Sequence, residues 1–138
     1  MIDYEYSLEA AVMPEAVYAL YSDVSTWTSW DSGVERIAVD GPFAAGTTGT
    51  FTPTGGDPLR FTIVSAEPGR GFTDEFPLPG ATLRGTHTLT ALPGGGTRIT
   101  HRMELDGPAA AEMAPQLMPG ITDDIPQTVA ALARLAAR

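Results

Sequence analysis

Ile2, Tyr4, Tyr6, Leu8, Ala10 and Val12 take every second position at the start of the chain, and Asp3, Glu5, Ser7 and Glu9 fall between them. A period of two belongs to a strand with one buried and one wet face. The next segment, "MPEAVYALYSD", changes period: Pro14 and Glu15 suit a first helical turn, and Val17, Leu20 and Tyr21 follow at helical spacing. "STWTSWDSG" has room for one more short helix. From Val34 to Leu105 the chain divides into short alternating runs separated by "GPFAAG", "PTGGDP", "EPGRG", "PLPGA" and "LPGGG". Turn chemistry at such intervals predicts an antiparallel meander of about six strands, with no length left for the crossover helices of a parallel sheet.

The chain from Ala109 onward returns to helical periodicity despite Pro115, Pro119 and Pro126. Advancing about 100° per residue, Met113, Leu117, Ile121, Ile125, Val129 and Leu132 stay on one face and the prolines collect on the opposite one. Prolines on the outer side bend a helix around whatever its apolar side covers. The alternative is two or three separate helices broken at the prolines.

Composition narrows the class. At 138 residues, one domain spanning 1–138 is expected, large enough to bury a core without staples. Cysteine is absent, which excludes disulfides, thiolate metal sites and cysteine nucleophiles. The formal charge is −9 and every basic residue is arginine, a balance that argues against nucleic acid and anionic membrane as partners. The acidic, alternating N-terminus is unlike a signal peptide and no run is long enough for a membrane span. A cytoplasmic protein, monomer or homodimer, is the expectation.

The order strand, two short helices, long meander, C-terminal helix resembles the START-like superfamily, also called SRPBCC, and within it the polyketide cyclase/dehydrase group. The segments carrying the resemblance are "EAVYALYSDVSTWTSWDSGVERI", "FTIVSAEPGRGF" and "GGGTRITHRMELDG". It implies an α+β helix-grip fold: a curved antiparallel sheet of about seven strands, two short helices after strand one, and a long C-terminal helix packed over the sheet to enclose a cavity. It also implies an apolar small-molecule ligand. No reaction follows from the fold alone.

Alternation then says which side chains face that cavity. In the last strand Ile99, His101, Met103 and Leu105 oppose Arg98, Thr100, Arg102 and Glu104, and in the strand before it Leu83, Gly85, His87 and Leu89 oppose Arg84, Thr86, Thr88 and Thr90. Both histidines of the chain therefore point inward. The "LPGGG" hairpin places them either directly opposite each other or one diagonal step apart. Phe72 and Phe76 draw Asp74 to the same side, opposite Gly85 or His87. The expectation is a row of Asp74, His87 and His101 on the cavity wall, the imidazoles moving protons while the carboxylate orients them and favours their charged form.

Tyr18 and Trp30 on the short helices, Phe51, Phe61, Phe72 and Phe76 on the strands, and Met103, Met113, Leu117 and Ile121 are the expected ligand contacts, with Trp27 assigned to packing. No metal and no cofactor is expected: the two histidines and Asp74 lack a short local ligand spacing, and no P-loop, dinucleotide fingerprint or nucleophile elbow is present. The expected function is binding of a small hydrophobic, oxygenated molecule, polyketide-like or phenolic, with cyclisation, dehydration or isomerisation by acid–base chemistry. The alternative is a non-catalytic carrier of an apolar metabolite.

Overall fold

The structure, a computed structural model, describes residues 1–138. Seven strands, β1 (Ile2–Ala10), β2 (Val34–Val39), β3 (Thr48–Pro53), β4 (Leu59–Glu67), β5 (Gly71–Leu78), β6 (Ala81–Ala91) and β7 (Thr97–Asp106), form one antiparallel sheet in the order β1-β7-β6-β5-β4-β3-β2. Between β1 and β2 run helix α1 (Pro14–Ser22), a 3-10 turn (Val24–Thr26) and helix α2 (Trp27–Trp30). Helices α3 (Ala110–Thr122) and α4 (Ile125–Ala136) follow β7. This is the helix-grip arrangement.

The alternation of β1 is realised residue by residue, with even-numbered positions half-buried and odd ones exposed. Its acids meet the arginines of β7 on the wet face: Glu9 pairs with Arg98 at 2.6 Å and Asp3 with Arg102 at 2.6 Å, while Glu75 on β5 pairs with Arg84 on β6. The β6–β7 hairpin closes through Leu92, whose N–H donates to the Gly96 carbonyl, with Gly95 and Gly96 both at φ near +90°. Only glycine enters that region without steric cost. The turn holds the register that pairs His87 with His101.

The C-terminal segment combines both expectations. Pro115 and Pro119 remain inside α3 and face solvent, and the helix interrupts at Asp123 and Asp124, immediately before Pro126. Both aspartates keep right-handed helical backbone angles, so the chain bends without reversing. Pro126 has no N–H to offer the preceding turn, and its ring crowds the carbonyl four residues earlier. The apolar face also divides: Val129 and Leu132 of α4 are fully buried, whereas α3 is most buried at Ala110, Ala114 and Met118. Met113, Leu117 and Ile121, expected as ligand contacts, are half-buried.

Two apolar clusters result. One gathers α1, α2 and α4 with Phe72, Leu89 and Ile99; the other joins Phe61, Ile63, Phe76, Leu83 and Leu105 to α3. A cavity of about 420 Å³ lies between them, with Trp27, Trp30 and Ile125 contributed by the first and Phe76 and Leu83 by the second.

Candidate functional site

Each expected site residue has a definite place. Asp74, His87, His101, Trp30, Phe51, Phe76, Met103, Leu117 and Ile121 line the cavity. Four do not. Tyr18 is buried edge-on against Phe43, Phe61 packs on Phe76, Phe72 lies flat on the His87 ring, and Met113 falls outside the wall. Phe72 is the instructive case: it shares a face with Asp74, but a ring centroid 4.0 Å from that of His87 makes it support for an imidazole rather than a ligand contact. Trp27, expected as packing alone, also reaches the wall.

His87 and His101 are directly paired across β6 and β7, their rings near-perpendicular with centroids 4.6 Å apart. Asp74 pairs with Gly85, one step along the same face. Glycine at 85 is a requirement of space: a Cβ there would lie 2.6 Å from Asp74 Oδ1 and 3.1 Å from His87 Cε1. The missing side chain leaves the volume in which the carboxyl sits.

The partners of the imidazoles differ from the expectation. His87 Nδ1 lies 3.2 Å from the Phe72 carbonyl oxygen, which only accepts, so Nδ1 carries the proton and Nε2 keeps its lone pair. His101 Nε2 lies 2.8 Å from the Tyr21 hydroxyl. Tyr21 is fully buried and its hydroxyl meets no other group, so the phenol donates to Nε2 and His101 carries its proton on Nδ1. Tyr21 is itself held in place by edge-on contacts with Phe72 and Trp30, and its carbonyl accepts the Trp27 indole N–H at 2.9 Å. Asp74 therefore orients neither ring.

Burial governs the charges. His87 is pushed down to about 4, chiefly by desolvation, and His101 falls well below the ordinary imidazole value through desolvation and its neighbour His87. Both rings are neutral at pH 7, which corrects the expectation of a charged form. Asp74 moves the other way: only 5% exposed, its carboxyl is raised by desolvation to about 7, against lowering by the backbone N–H groups of residues 74 and 85. The carboxyl, not the imidazoles, is the group balanced between its protonation states at neutrality.

Asp31, Asp124, Thr128 and Gln116 also reach the wall and were not expected there. Asp31 ends α2, where its Oδ1 accepts the Gly33 N–H at 2.9 Å, and burial raises its pKa. Asp124 stands at the bend before α4. Neither lies in a periodic stretch, so alternation carries no signal for them. No group of three or more His, Cys, Asp or Glu side chains is placed to hold a metal ion.

A curved seven-stranded sheet gripping a bent C-terminal helix around a mixed aromatic and carboxyl cavity is the helix-grip fold. The chain belongs to the family described as polyketide cyclase / dehydrase and lipid transport, whose model matches residues 1–138. No curated protein matches its sequence. Among solved structures it is similar to protein MLL2253 from Mesorhizobium loti, with 17% identity over 99% of this chain and 98% of that one and a TM-score of 0.76. It is also similar to norcoclaurine synthase from Thalictrum flavum in complex with dopamine and hydroxybenzaldehyde, at 14% identity over 99% and 86% of the two chains and a TM-score of 0.76. The di-domain ARO/CYC StfQ of the steffimycin biosynthetic pathway gives 15% identity and a TM-score of 0.78, this chain covering 50% of it. These likenesses establish the fold. No helix is long and apolar enough to cross a membrane.

Proposed function

We propose that the protein binds a small, planar, oxygenated molecule in its cavity and catalyses an enolisation that leads to dehydration or cyclisation. The observation that carries this reading is Asp74: a buried carboxyl with no side-chain partner, opening on the cavity and titrating at about 7, where a general acid–base group is most effective near neutrality. The family description and the phenolic molecules named in the norcoclaurine synthase structure support the substrate class.

In this scheme the Asp74 carboxylate takes a proton from a carbon next to a ligand carbonyl. The His101 Nδ1–H stabilises the oxygen on which negative charge develops, and the His87 Nε2 lone pair accepts a hydroxyl of the ligand. Asp74 then returns its proton to a β-hydroxyl as the C–O bond breaks. Carbon–carbon unsaturation forms, water leaves and the carboxylate is regenerated. No cofactor enters the step.

Proton abstraction can be followed before the natural substrate is known. A panel of aryl ketones in deuterated buffer should exchange their α-hydrogens faster with the wild-type protein than in buffer. Asp74→Asn should remove that acceleration, about 100-fold or more for a positioned general base, while ligand affinity stays within about three-fold. Binding without exchange at any ketone would refute catalysis and leave the carrier reading.

A further inference from the structure

Tyr21 touches the imidazole pair without touching the cavity. It is fully buried in the first apolar cluster and contributes nothing to the cavity wall, which both His87 and His101 line. Phe72 and Trp30 hold its ring edge-on, with centroids 5.0 and 5.9 Å away, and its hydroxyl reaches His101 Nε2 at 2.8 Å. Burial raises the phenol's pKa, so the hydroxyl keeps its proton, while desolvation keeps His101 neutral and its Nε2 free to accept.

The two remaining ring nitrogens face outward. No buried side-chain nitrogen or oxygen lacks a partner, so His101 Nδ1 and His87 Nε2, which have none within the protein, are open rather than sealed. His87 Cε1 is turned to the gap above Gly85 that Asp74 Oδ1 also borders. One ring therefore shows the cavity an N–H and the other a lone pair. Two neutral imidazoles do not have that polarity by themselves, since each has two tautomers and the partner of one nitrogen decides the state of the other. The Phe72 carbonyl decides it for His87 and the Tyr21 hydroxyl for His101, in opposite senses. The reverse tautomer of His101 would set a lone pair against the oxygen on which charge develops.

We propose that Tyr21 is a positioning residue for the reaction: its hydroxyl holds His101 in the tautomer whose Nδ1–H meets the developing oxyanion, and it acts through His101, never on the ligand. This role rests on the enolisation proposed above and adds the group that sets its oxyanion donor. A donor of this kind matters most where charge has built up, so its loss falls on turnover more than on binding.

In the full chain with isotopically labelled histidine, ring-nitrogen chemical shifts report each tautomer directly. Wild-type His101 should be protonated at Nδ1 and bare at Nε2; a proton on Nε2 overturns the proposal without any variant. Tyr21→Phe, held below its melting temperature, should show both tautomers of His101 and lower kcat for α-hydrogen exchange of 2-acetonaphthone about ten-fold or more, with KM within about three-fold. In a His101→Asn background, which has no tautomers to select, the same change at Tyr21 should cost under about two-fold. An equal loss in both backgrounds, or wild-type kcat in Tyr21→Phe, makes the hydroxyl structural and overturns the positioning role while the enolisation stands. If the wild-type protein exchanges no ketone, the enolisation itself fails and the role with it.

Discussion

Replacing Asp74 with Asn keeps shape and removes one ionisation, so the difference between the two proteins isolates what that ionisation does to stability. In the unfolded chain the carboxyl loses its proton at its ordinary 3.8, and in the folded protein at about 7. The stabilising contribution of the protonated group is thus fully present below the lower value and lost as pH rises through the upper one. Between them the folded state holds one more proton than the unfolded state, and each pH unit removes about 1.4 kcal/mol from the wild type relative to the variant. From pH 5 to pH 8 the variant should therefore gain about 3 kcal/mol on the wild type. His87 and His101 titrate lower in both proteins and cancel in the difference. Urea melts of both proteins at pH 5, 6, 7 and 8, with unchanged m-values, measure it. A stability gap that stays constant over this range would mean that Asp74 ionises normally in the fold, and the acid–base assignment would fall with it.

Three further outcomes follow from the same geometry. The only two imidazole NMR signals should show no titration near 6.5; His87 should change near 4 and His101 well below the ordinary imidazole value, and normal titration of either would place that ring in water. Tyr21→Phe leaves His101 Nε2 buried without a donor and should lower stability by about 1–3 kcal/mol in a denaturant melt, against no change if the hydroxyl is idle. Gly85→Ala puts a methyl 2.6 Å from Asp74 Oδ1 and should destabilise by about 1–3 kcal/mol and slow ketone exchange; a variant as stable and active as wild type would show that the gap above residue 85 is not needed.

What could be read from the sequence was whatever repeats. Period two sends His87, His101 and Asp74 inward, and a short glycine hairpin leaves only two registers, of which the directly opposed one forms. Contacts that depend on distant segments are not periodic. Tyr21 meets His101 across eighty positions of sequence, and nothing local to its helix distinguishes it from a core tyrosine. Asp31 and Asp124 occupy the ends of helices, where direction is decided by how α2 and α4 dock. Alternation gives Phe72 a face but not a neighbour, because it says inward without saying against what. In β4 the alternation itself breaks: a register shift between Ile63 and Ser65 moves the inward phase from Ile63 to Ala66, opposite Phe72. The proline bend was legible as a position but not as an outcome, since the same residues fit a curved helix and a broken one.

That bend divides the labour of the C-terminal segment. Beyond it, α4 gives Val129 and Leu132 to the fully enclosed core, where shortening a side chain costs about 1–5 kcal/mol. Before it, α3 turns Leu117, Gly120 and Ile121 toward the cavity, half-open positions from which little packing is lost when they change. The same segment is therefore stiff at one end and permissive at the other: a substitution in α3 changes the cavity wall at little cost to the fold, whereas one of like size in α4 costs stability first.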